Sequence, residues 1–523
     1  MDKPLPQGIS PATFASAIAE LQVVVGAEYV FTDDRAHLRS YRDAYSTLDD
    51  SNFAPSAAVA PKTVEEVQGV LAVARTHQLP VWTISTGKNF AYGGPAPRKP
   101  GYVVLDLKRM NRIIEVNEKH GYAVVEPGVS YQDLYNYLQE KGSKLWIDCA
   151  APAWGGIVGN TSDHGAGYTP YGDHLLMQCG MEVILADGTV VETGMGGVPN
   201  SKTSSLYKYG IGPWVDGLFT QSNFGVITKM GIWLMHEPPG YMPFMVTLPR
   251  EEDLELITDL VLPLKLNMVI ANGALTADLL WESAMSVTKR QYYTGKGPVP
   301  DSIRKKIASD LKLGMWNFYA ALYGPQPIMD NNWEMVEATL RQIPGAKIYF
   351  DADRKGDPGW DYRAKLMRGI PNMTEFSLLN WVGGGGHINF SPISAADGKD
   401  SMKQFHMIRD RAHEYNFDYI GEFLIGWRDQ HHIFMLMFDR MSDDEKKRAH
   451  ELFGVLINDA AKLGYGEYRT HLSFMDQIAD TYNYNDRALW RMHETLKDAL
   501  DPDGILSPGK MGIWPQRMRG QQS

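Results

Sequence analysis

The side chains in this chain best suited to chemistry by type are two phenols and a guanidinium, Tyr92, Tyr468 and Arg469. Phenolic hydroxyls beside a guanidinium can hold a phenolate or a carboxylate through charge-assisted hydrogen bonds. The same three types also serve as ordinary packing or surface groups, and type alone leaves both readings open. Glu375, Glu422 and Asp148 lie near apolar stretches, where burial would raise a carboxyl into the range of a general base; a plain solvated carboxylate is the other reading of each. His387 follows the run Gly383-Gly384-Gly385-Gly386 and opens a strand-like alternation. Glycine permits positive φ and close approach of another body. The run therefore reads either as a flexible loop or as backbone against which something flat and large lies, with the imidazole aimed at it. His431 and His432, near Asp429, invite a metal reading. Adjacent strand residues point to opposite faces, so the two cannot share one ion, and no metal is assigned.

Two further glycine-dense stretches need positioning elements. Ser85-Thr86-Gly87-Lys88-Asn89-Phe90-Ala91-Tyr92-Gly93-Gly94 falls between expected strands at 81–84 and 102–107. A glycine-rich turn after a strand presents successive N–H groups to an anion, and Lys88 adds a cation. The spacing matches neither Walker A nor G-x-G-x-x-G. Residues 155–172, rich in Gly, Tyr and Asn, read as irregular backbone wrapped around a ligand. Three glycine-dense regions without a dinucleotide fingerprint favour one extended ligand with a pyrophosphate, a flavin rather than NAD.

Ser10 before Pro11 predicts a helix over 10–25, and Thr63 with Glu66 predicts a capped helix over 63–77. A helix at 131–140, strands at 57–60, 122–125 and 223–234, and a hairpin of 181–185 with 189–192 through Asp187-Gly188 complete the first part. Pro238-Pro239-Gly240 marks a boundary. Beyond it, helices at 251–260, 302–311, 332–341, 402–415 and 443–463 alternate with strands at 244–248, 316–322, 347–350, 387–390 and 432–438. This is an α+β pattern with an antiparallel sheet. A last helix is expected at 488–500.

With 523 residues the chain is too long for one core, so two domains are expected. Net charge of −11 argues against nucleic acid or an anionic membrane as partner. Two cysteines, Cys149 and Cys179, give no disulfide framework, and the N-terminus shows no apolar leader. A soluble cytoplasmic protein is the expectation.

Several segments together are specific: ISTGKNFAYGGPAPR (84–98), VVEPGVSYQDLYNYL (124–138), VGNTSDHGAGYTPYGDH (158–174), GMEVILADGTVVETGMGG (180–197), FTQSNFGVITKMGIWLM (219–235), GHINFSPIS (386–394), YRTHLSFMDQI (468–478) and DPDGILSPGKMGIWP (501–515). On these the chain resembles the vanillyl-alcohol oxidase and p-cresol methylhydroxylase family of FAD-dependent 4-phenol-oxidising enzymes, which includes eugenol oxidase and 4-ethylphenol oxidase. The resemblance implies an α+β, two-domain p-cresol methylhydroxylase-type FAD-binding fold. Residues 1–237 and 465–523 would form the FAD domain, and 238–464 a cap over the flavin.

By resemblance, Ser85, Thr86, Gly87, Lys88, Asn89 and Gly93 cradle the FAD pyrophosphate. Gly156, Gly159, Asn160, Gly165, Tyr171, Gly172, Gly225, Val226 and Lys510 hold the rest, and His387 bonds covalently to the flavin C8α methyl. Tyr92, Tyr468 and Arg469 match the trio that binds the substrate phenolate; Glu422 and Glu375 match active-site glutamates; Ala151, Ser391 and Trp427 fall in the substrate pocket. The implied reaction moves a hydride from Cα of a 4-alkylphenol, 4-allylphenol or 4-hydroxybenzyl alcohol to flavin N5 through a p-quinone methide. O2 then accepts the electrons and gives H2O2; a methylhydroxylase-type dehydrogenase handing electrons to a cytochrome c is the alternative. Two positions depart from the family pattern. Ala151 replaces the aspartate of the oxidases, so Glu422 or Glu375 is expected to take over its role, and Asp49 falls roughly where vanillyl-alcohol oxidase has a histidine that assists flavin attachment. The insertion supporting octamers in the fungal relative is absent, so a homodimer is expected.

Overall fold

The computed structural model describes residues 4–33, 37–150 and 152–520; Ala151 lies outside the described residues. Three sheets organise the chain. The first has the order Val30–Phe31, Ala57–Val59, Val103–Asp106, Val81–Ile84, with the last three strands parallel. Helices Pro11–Val25 and Val64–Thr76 cover it, and their apolar residues share one core with Val59, Val81, Val103 and Leu105. Ser10 caps the first helix as expected, its side chain accepting from Thr13 N. Thr63 Oγ1 accepts from Glu66 N at 3.2 Å, but the Glu66 carboxylate reaches one residue further back, to Lys62 N at 2.6 Å.

The second sheet runs Ile113–Asn117, Tyr122–Val125, Val226–Trp233, Gln178–Ile184, Val190–Glu192, all antiparallel. The expected hairpin turns at Gly188, whose φ of +90° needs glycine. Residues 155–172 are not wholly irregular as expected: Ile157–Ser162 forms a short helix with Gly156 at its N-cap.

The third sheet is large and antiparallel throughout. Its order is Lys347–Tyr349, Tyr241–Leu248, Trp316–Tyr323, Ala274–Asp278, Gly421–Ile425, Asp429–Phe438, Gly386–Phe390, with Ile393–Ala395 also pairing to Asp429–Phe438. Alternation along each strand divides its two faces. Phe244, Phe318, Phe423, Phe434 and Ile388 face a core closed by helices Asp253–Leu266, Gln326–Leu340, Gly398–Glu414 and Asp443–Lys462. Leu275, Tyr319, Leu424, Met435 and Met437 face the other way, into a core shared with Val125, Met181 and Leu234 of the second sheet. The Ala274–Asp278 and Gly421–Ile425 strands were not expected from sequence, nor was the helix Pro358–Leu366. The last helix spans Tyr484–Leu500, but Asn485, Asp486 and Arg487 are left-handed, so regular helix begins where expected, at Ala488. Among the described residues no helix is long and apolar enough to cross a membrane.

Candidate active site

A cavity of ≈ 280 Å³ lies where the large sheet meets the other two. Its floor follows from strand alternation. Glu422 and Leu424 project from one strand, Ile433 and Met435 from the next, and His387 and Asn389 from the third. Register sets Glu422 opposite Ile433, Asn389 opposite Met435 and His387 opposite Met437. The expected Ser85, Thr86, Gly87, Lys88 and Asn89 line the cavity, as do Gly156, Gly159, Asn160, Gly225, Lys510, Tyr92, Glu375, Tyr468 and Arg469.

The turn after Ile84 has the form of an anion cradle. Gly87 takes φ +65°, and among the described residues the N–H groups of residues 86–90 make no hydrogen bond within the chain. Successive free N–H groups suit a pyrophosphate. Lys88 sits beside them, 5.7 Å from the Phe90 ring centre and 5.8 Å from that of Trp154, with its pKa lowered by burial and then by Lys108. A Cβ on Gly156 would stand 2.9 Å from Ser85 Oγ and Thr86 Cγ2, so glycine there lets the short helix close on the turn. Asp163, held by Asn89 Nδ2 at 3.2 Å and Lys510 Nζ at 3.5 Å, completes this end. Free amides, a cation and an elongated cavity fit an extended dinucleotide such as FAD.

His387 lies at the other end, 9% exposed. Its Nδ1 pairs with Asn389 Oδ1 at 2.8 Å; an amide oxygen only accepts, so Nδ1 carries the proton and Nε2 keeps its lone pair. Burial holds the imidazole neutral, its pKa lowered to about 4. The ring packed against it, 5.3 Å away, belongs to Tyr45. Asp49, expected near the attachment point, is instead at the surface, where it caps a turn by accepting from Ser51 N at 2.9 Å. The glycine run also differs from expectation. Gly383 and Gly384 are exposed, with φ of +79° and +89° and nothing within 4 Å of an added Cβ, while Gly386 packs on Tyr45 and Arg440. None of the four lines the cavity; they turn the chain so that His387 enters the sheet facing it.

Tyr92, Tyr468 and Arg469, distant in sequence, converge. The Arg469 guanidinium lies 4.5 Å from the Tyr92 ring centre and 5.1 Å from that of Tyr468. Among the described residues the buried Tyr92 hydroxyl and Arg469 Nε have no hydrogen-bond partner of good geometry, although Tyr92 lies close enough to both Tyr468 and Arg469 to influence their charge. Burial raises the Tyr468 phenol's pKa, and Arg469 opposes the rise. Burial also works against the Arg469 charge, but Tyr468, Tyr92 and Asp163 keep its pKa above the usual value. Gln221 fixes the segment by donating to Tyr468 O at 2.7 Å.

The carboxyls face this trio across the cavity. Burial, then repulsion from Glu422, pushes Glu375 up to about 7, against a 2.9 Å hydrogen bond from Tyr362. Glu422, 1% exposed, is raised by burial and held back by Arg363, whose Nη2 donates to it at 2.7 Å. Asp148 does not reach the cavity: it accepts from Thr169 N at 2.7 Å and pairs with His174 Nε2 at 2.6 Å, tying a loop.

Other expected residues lie outside the cavity lining. Trp427 is 39% exposed and does not line the cavity. Ser391 is fully buried behind it, its N–H donating to Glu467 Oε1 at 3.1 Å. Gly93 packs on Leu472, Gly165 on the Asn160 side chain, Gly172 on Gly167 O, and Val226 lies in the core of the first sheet. Tyr171 donates its N–H to Thr169 Oγ1 at 3.1 Å, away from the cavity wall. His431 and His432 do face opposite ways: one ring contacts Tyr468 at 4.6 Å, the other stacks on Phe423 at 3.9 Å. Sequence reasoning missed Arg363, Glu282, Tyr168 and Tyr362. The Asp357-Pro358 pair, an N-cap followed by Pro at N1, signals the helix that carries Tyr362 and Arg363.

Two protein-family profiles match the chain: an FAD binding domain over residues 55–194 and the C-terminal domain of FAD linked oxidases over 274–511. The flavoprotein subunit of 4-cresol dehydrogenase (hydroxylating) from Pseudomonas putida is 42% identical over 511 residues, 97% of each chain. The solved structure of 4-ethylphenol oxidase from Gulosibacter chungangensis, an isoeugenol complex, superposes with a TM-score of 0.96 at 40% identity, covering 98% of this chain and 100% of the other. That of p-cresol methylhydroxylase with substrate bound gives 0.96 at 42% identity, covering 98% and 99%.

Proposed function

The chain belongs to the FAD-dependent phenol-oxidising family that includes 4-cresol dehydrogenase and 4-ethylphenol oxidase, and we propose that it oxidises 4-alkylphenols, 4-allylphenols and 4-hydroxybenzyl alcohols at Cα. The observation that carries the reading is the Arg469 guanidinium held against the Tyr92 and Tyr468 rings in the same cavity as two carboxyls. A phenol bound there gives up its proton more easily, because the phenolate meets preorganised donors and a fixed cation. The phenolate pushes electron density to the para carbon, which weakens a Cα–H bond toward loss as hydride. FAD, when bound, supplies the two-electron acceptor for that hydride.

The residues named above divide the remaining work. The free amides of residues 86–90 and Lys88 would hold the pyrophosphate of FAD, and His387 Nε2, unprotonated and facing the cavity, would anchor the flavin C8α. Loss of hydride leaves a p-quinone methide with an electrophilic Cα. Glu422 takes a proton from water as the water oxygen bonds to Cα, giving the benzylic alcohol; a substrate with a β-hydrogen can lose it instead and give a vinylphenol. Alcohols proceed to aldehydes. We assign O2 as terminal acceptor on the C-terminal segments YRTHLSFMDQI and GIWPQ, which resemble the oxidases.

The test is anaerobic mixing of the flavin-loaded protein with 4-ethylphenol, 4-ethylguaiacol, vanillyl alcohol and eugenol. Bleaching of the flavin absorbance is expected, with stoichiometric H2O2 once air is admitted. No bleaching with any of the four would sink the phenol reading. Bleaching without peroxide, with reduction of an added c-type cytochrome, would overturn the acceptor alone. Flavin that stays with acid-precipitated protein, and is released in His387→Ala, is expected for the covalent anchor.

A further inference from the structure

Hydration of a quinone methide needs a carboxylate to take water's proton, and the cavity holds two candidates, Glu422 and Glu375. Arg363 lies behind the cavity wall, 1% exposed, on the helix Pro358–Leu366. Its Nη2 donates to Glu422 Oε2 at 2.7 Å and to Glu282 Oε1 at 2.9 Å, and its Nε adds a 3.3 Å bond to Glu282. Tyr319 closes the far side, donating to Glu282 Oε2 at 2.8 Å. Among the described residues Glu375 makes no hydrogen bond to a guanidinium; its hydrogen bond comes from the neutral Tyr362 phenol, and Arg363 and Arg469 lower its pKa only through space, less than burial and Glu422 raise it. Buried charge survives when it is paired, and here one guanidinium already serves two carboxylates.

We infer that Arg363 is the positioning residue that divides labour between the cavity carboxyls: shared with Glu282, its guanidinium holds Glu422 as the carboxylate that accepts water's proton and leaves Glu375 as the carboxyl that keeps its own. This rests on the phenol-oxidising reading of the site. In the step concerned, a water O–H bond breaks toward Glu422 and the oxygen's electron pair bonds to Cα. The quinone carbonyl takes up the displaced π pair and returns as the phenolate held by Tyr92, Tyr468 and Arg469. The neutral Glu375 does not compete for water's proton. The titratable groups near Glu422 are Arg363 and Tyr362 from one helix, Glu282 from the helix Leu279–Ala284, Glu375 from the turn Thr374–Val382 and the Tyr168 phenol. The flanking strands set only Ala277 and Ile433 opposite it. The raised pKa of Glu375 and the restraint Arg363 places on Glu422 agree with this division.

The experiment measures alcohol formation from 4-ethylphenol against pH in flavin-loaded protein. Glu282→Gln removes the competing carboxylate, so the acid limb of the profile is expected to move to lower pH. Arg363→Met in the Glu282→Gln background removes the cation, and the limb is expected to move up by about one to three pH units. Arg363→Lys in the same background is expected to bring it back part of the way. A limb that stays at the wild-type pH in both Glu282→Gln and the double variant overturns the inference. If the double variant does not fold, Glu282→Gln decides alone, and an unmoved or rising limb overturns it. Failure of the underlying phenol reading looks different, because the wild-type flavin would then not bleach with 4-ethylphenol in the absence of O2.

Discussion

A carboxyl that keeps its proton near neutrality leaves a mark on stability as well as on chemistry. Glu375 has its folded-state pKa raised to about 7 by burial and by Glu422. Such a group contributes stability that is fully present below the unfolded pKa near 4.5 and is lost as pH rises through about 7, because only the unfolded chain ionises it freely in between. The shift corresponds to at most about 3 kcal/mol, less whatever the cavity's own solvent screens. Glu375→Gln carries no proton to lose, so its melting temperature is expected to gain on wild type between pH 4.5 and 7 and then hold a constant lead. Thermal melts of the unliganded proteins across pH 4–8 check this, and parallel curves would count against a neutral Glu375. At this scale the sequence shows its limits. Tyr92, Tyr468 and Arg469 announce themselves by type, and family resemblance groups them. Arg363 and Glu282 sit in segments that the sequence reading left unassigned, and only packing reveals that one guanidinium bridges two carboxylates.

Elements explain why some of the sequence was legible and some was not. Period-two alternation in 387–390 and 432–438 gave the strands, and the same alternation puts His387, Asn389, Ile433 and Met435 on the cavity floor. The Gly421–Ile425 strand was missed because a glutamate stands inside an otherwise apolar run, and that glutamate lines the cavity. The glycine run left two readings open for a different reason: glycine reports freedom of φ, not what occupies the space beside it. Two substitutions separate these roles. Gly384→Ala places a Cβ at φ +89° in open space, so strain alone applies, roughly 1 kcal/mol, with activity unchanged. Gly93→Ala meets φ +106° and also drives its Cβ into the Leu472 side chain beside Tyr92, so a loss above about 2 kcal/mol is expected, together with a raised KM for 4-ethylphenol. Melting curves and steady-state kinetics of the pair check this; equal effects would mean that strain, not contact, governs both. A second element-scale expectation concerns His432, whose pKa burial lowers to about 3 and whose ring stacks on Phe423. Its stability contribution is present above about 6.5 and is lost as pH falls toward 3, since the unfolded chain protonates it first. His432→Phe is therefore expected to flatten the acid limb of the melting curve against pH, and an unchanged limb would assign acid unfolding to other groups.

At the scale of the molecule, we propose that the boundaries at 237 and 465 divide the path of the chain but not its cooperativity. One apolar core contains Val125, Met181 and Leu234 from before the first boundary and Leu275, Trp281, Tyr319 and Met435 from beyond it. The C-terminal segment is tied to the N-terminal part by main-chain bonds. Val81 N donates to Ile505 O at 2.8 Å, and Ser507 N returns to Val81 O at 2.7 Å. Asn223 Nδ2 donates to Ser507 O at 3.0 Å and Ile513 O at 2.9 Å, while the buried Lys497 ammonium reaches Asn223 O at 2.8 Å and Leu506 O at 2.7 Å. A chain of 523 residues would ordinarily unfold in stages. Here neither part can expose its side of the shared core without opening the other, so calorimetry is expected to show one transition, with the change in flavin fluorescence and the loss of far-UV signal coinciding. Leu275→Ala makes the test sharper. The side chain is fully buried on the cavity side of the large sheet, and its truncation is expected to cost roughly 2–5 kcal/mol. If the molecule is one cooperative unit, both signals shift down together by the same number of degrees. If residues 238–464 melt alone, the far-UV trace splits in two and only its earlier step moves with the substitution.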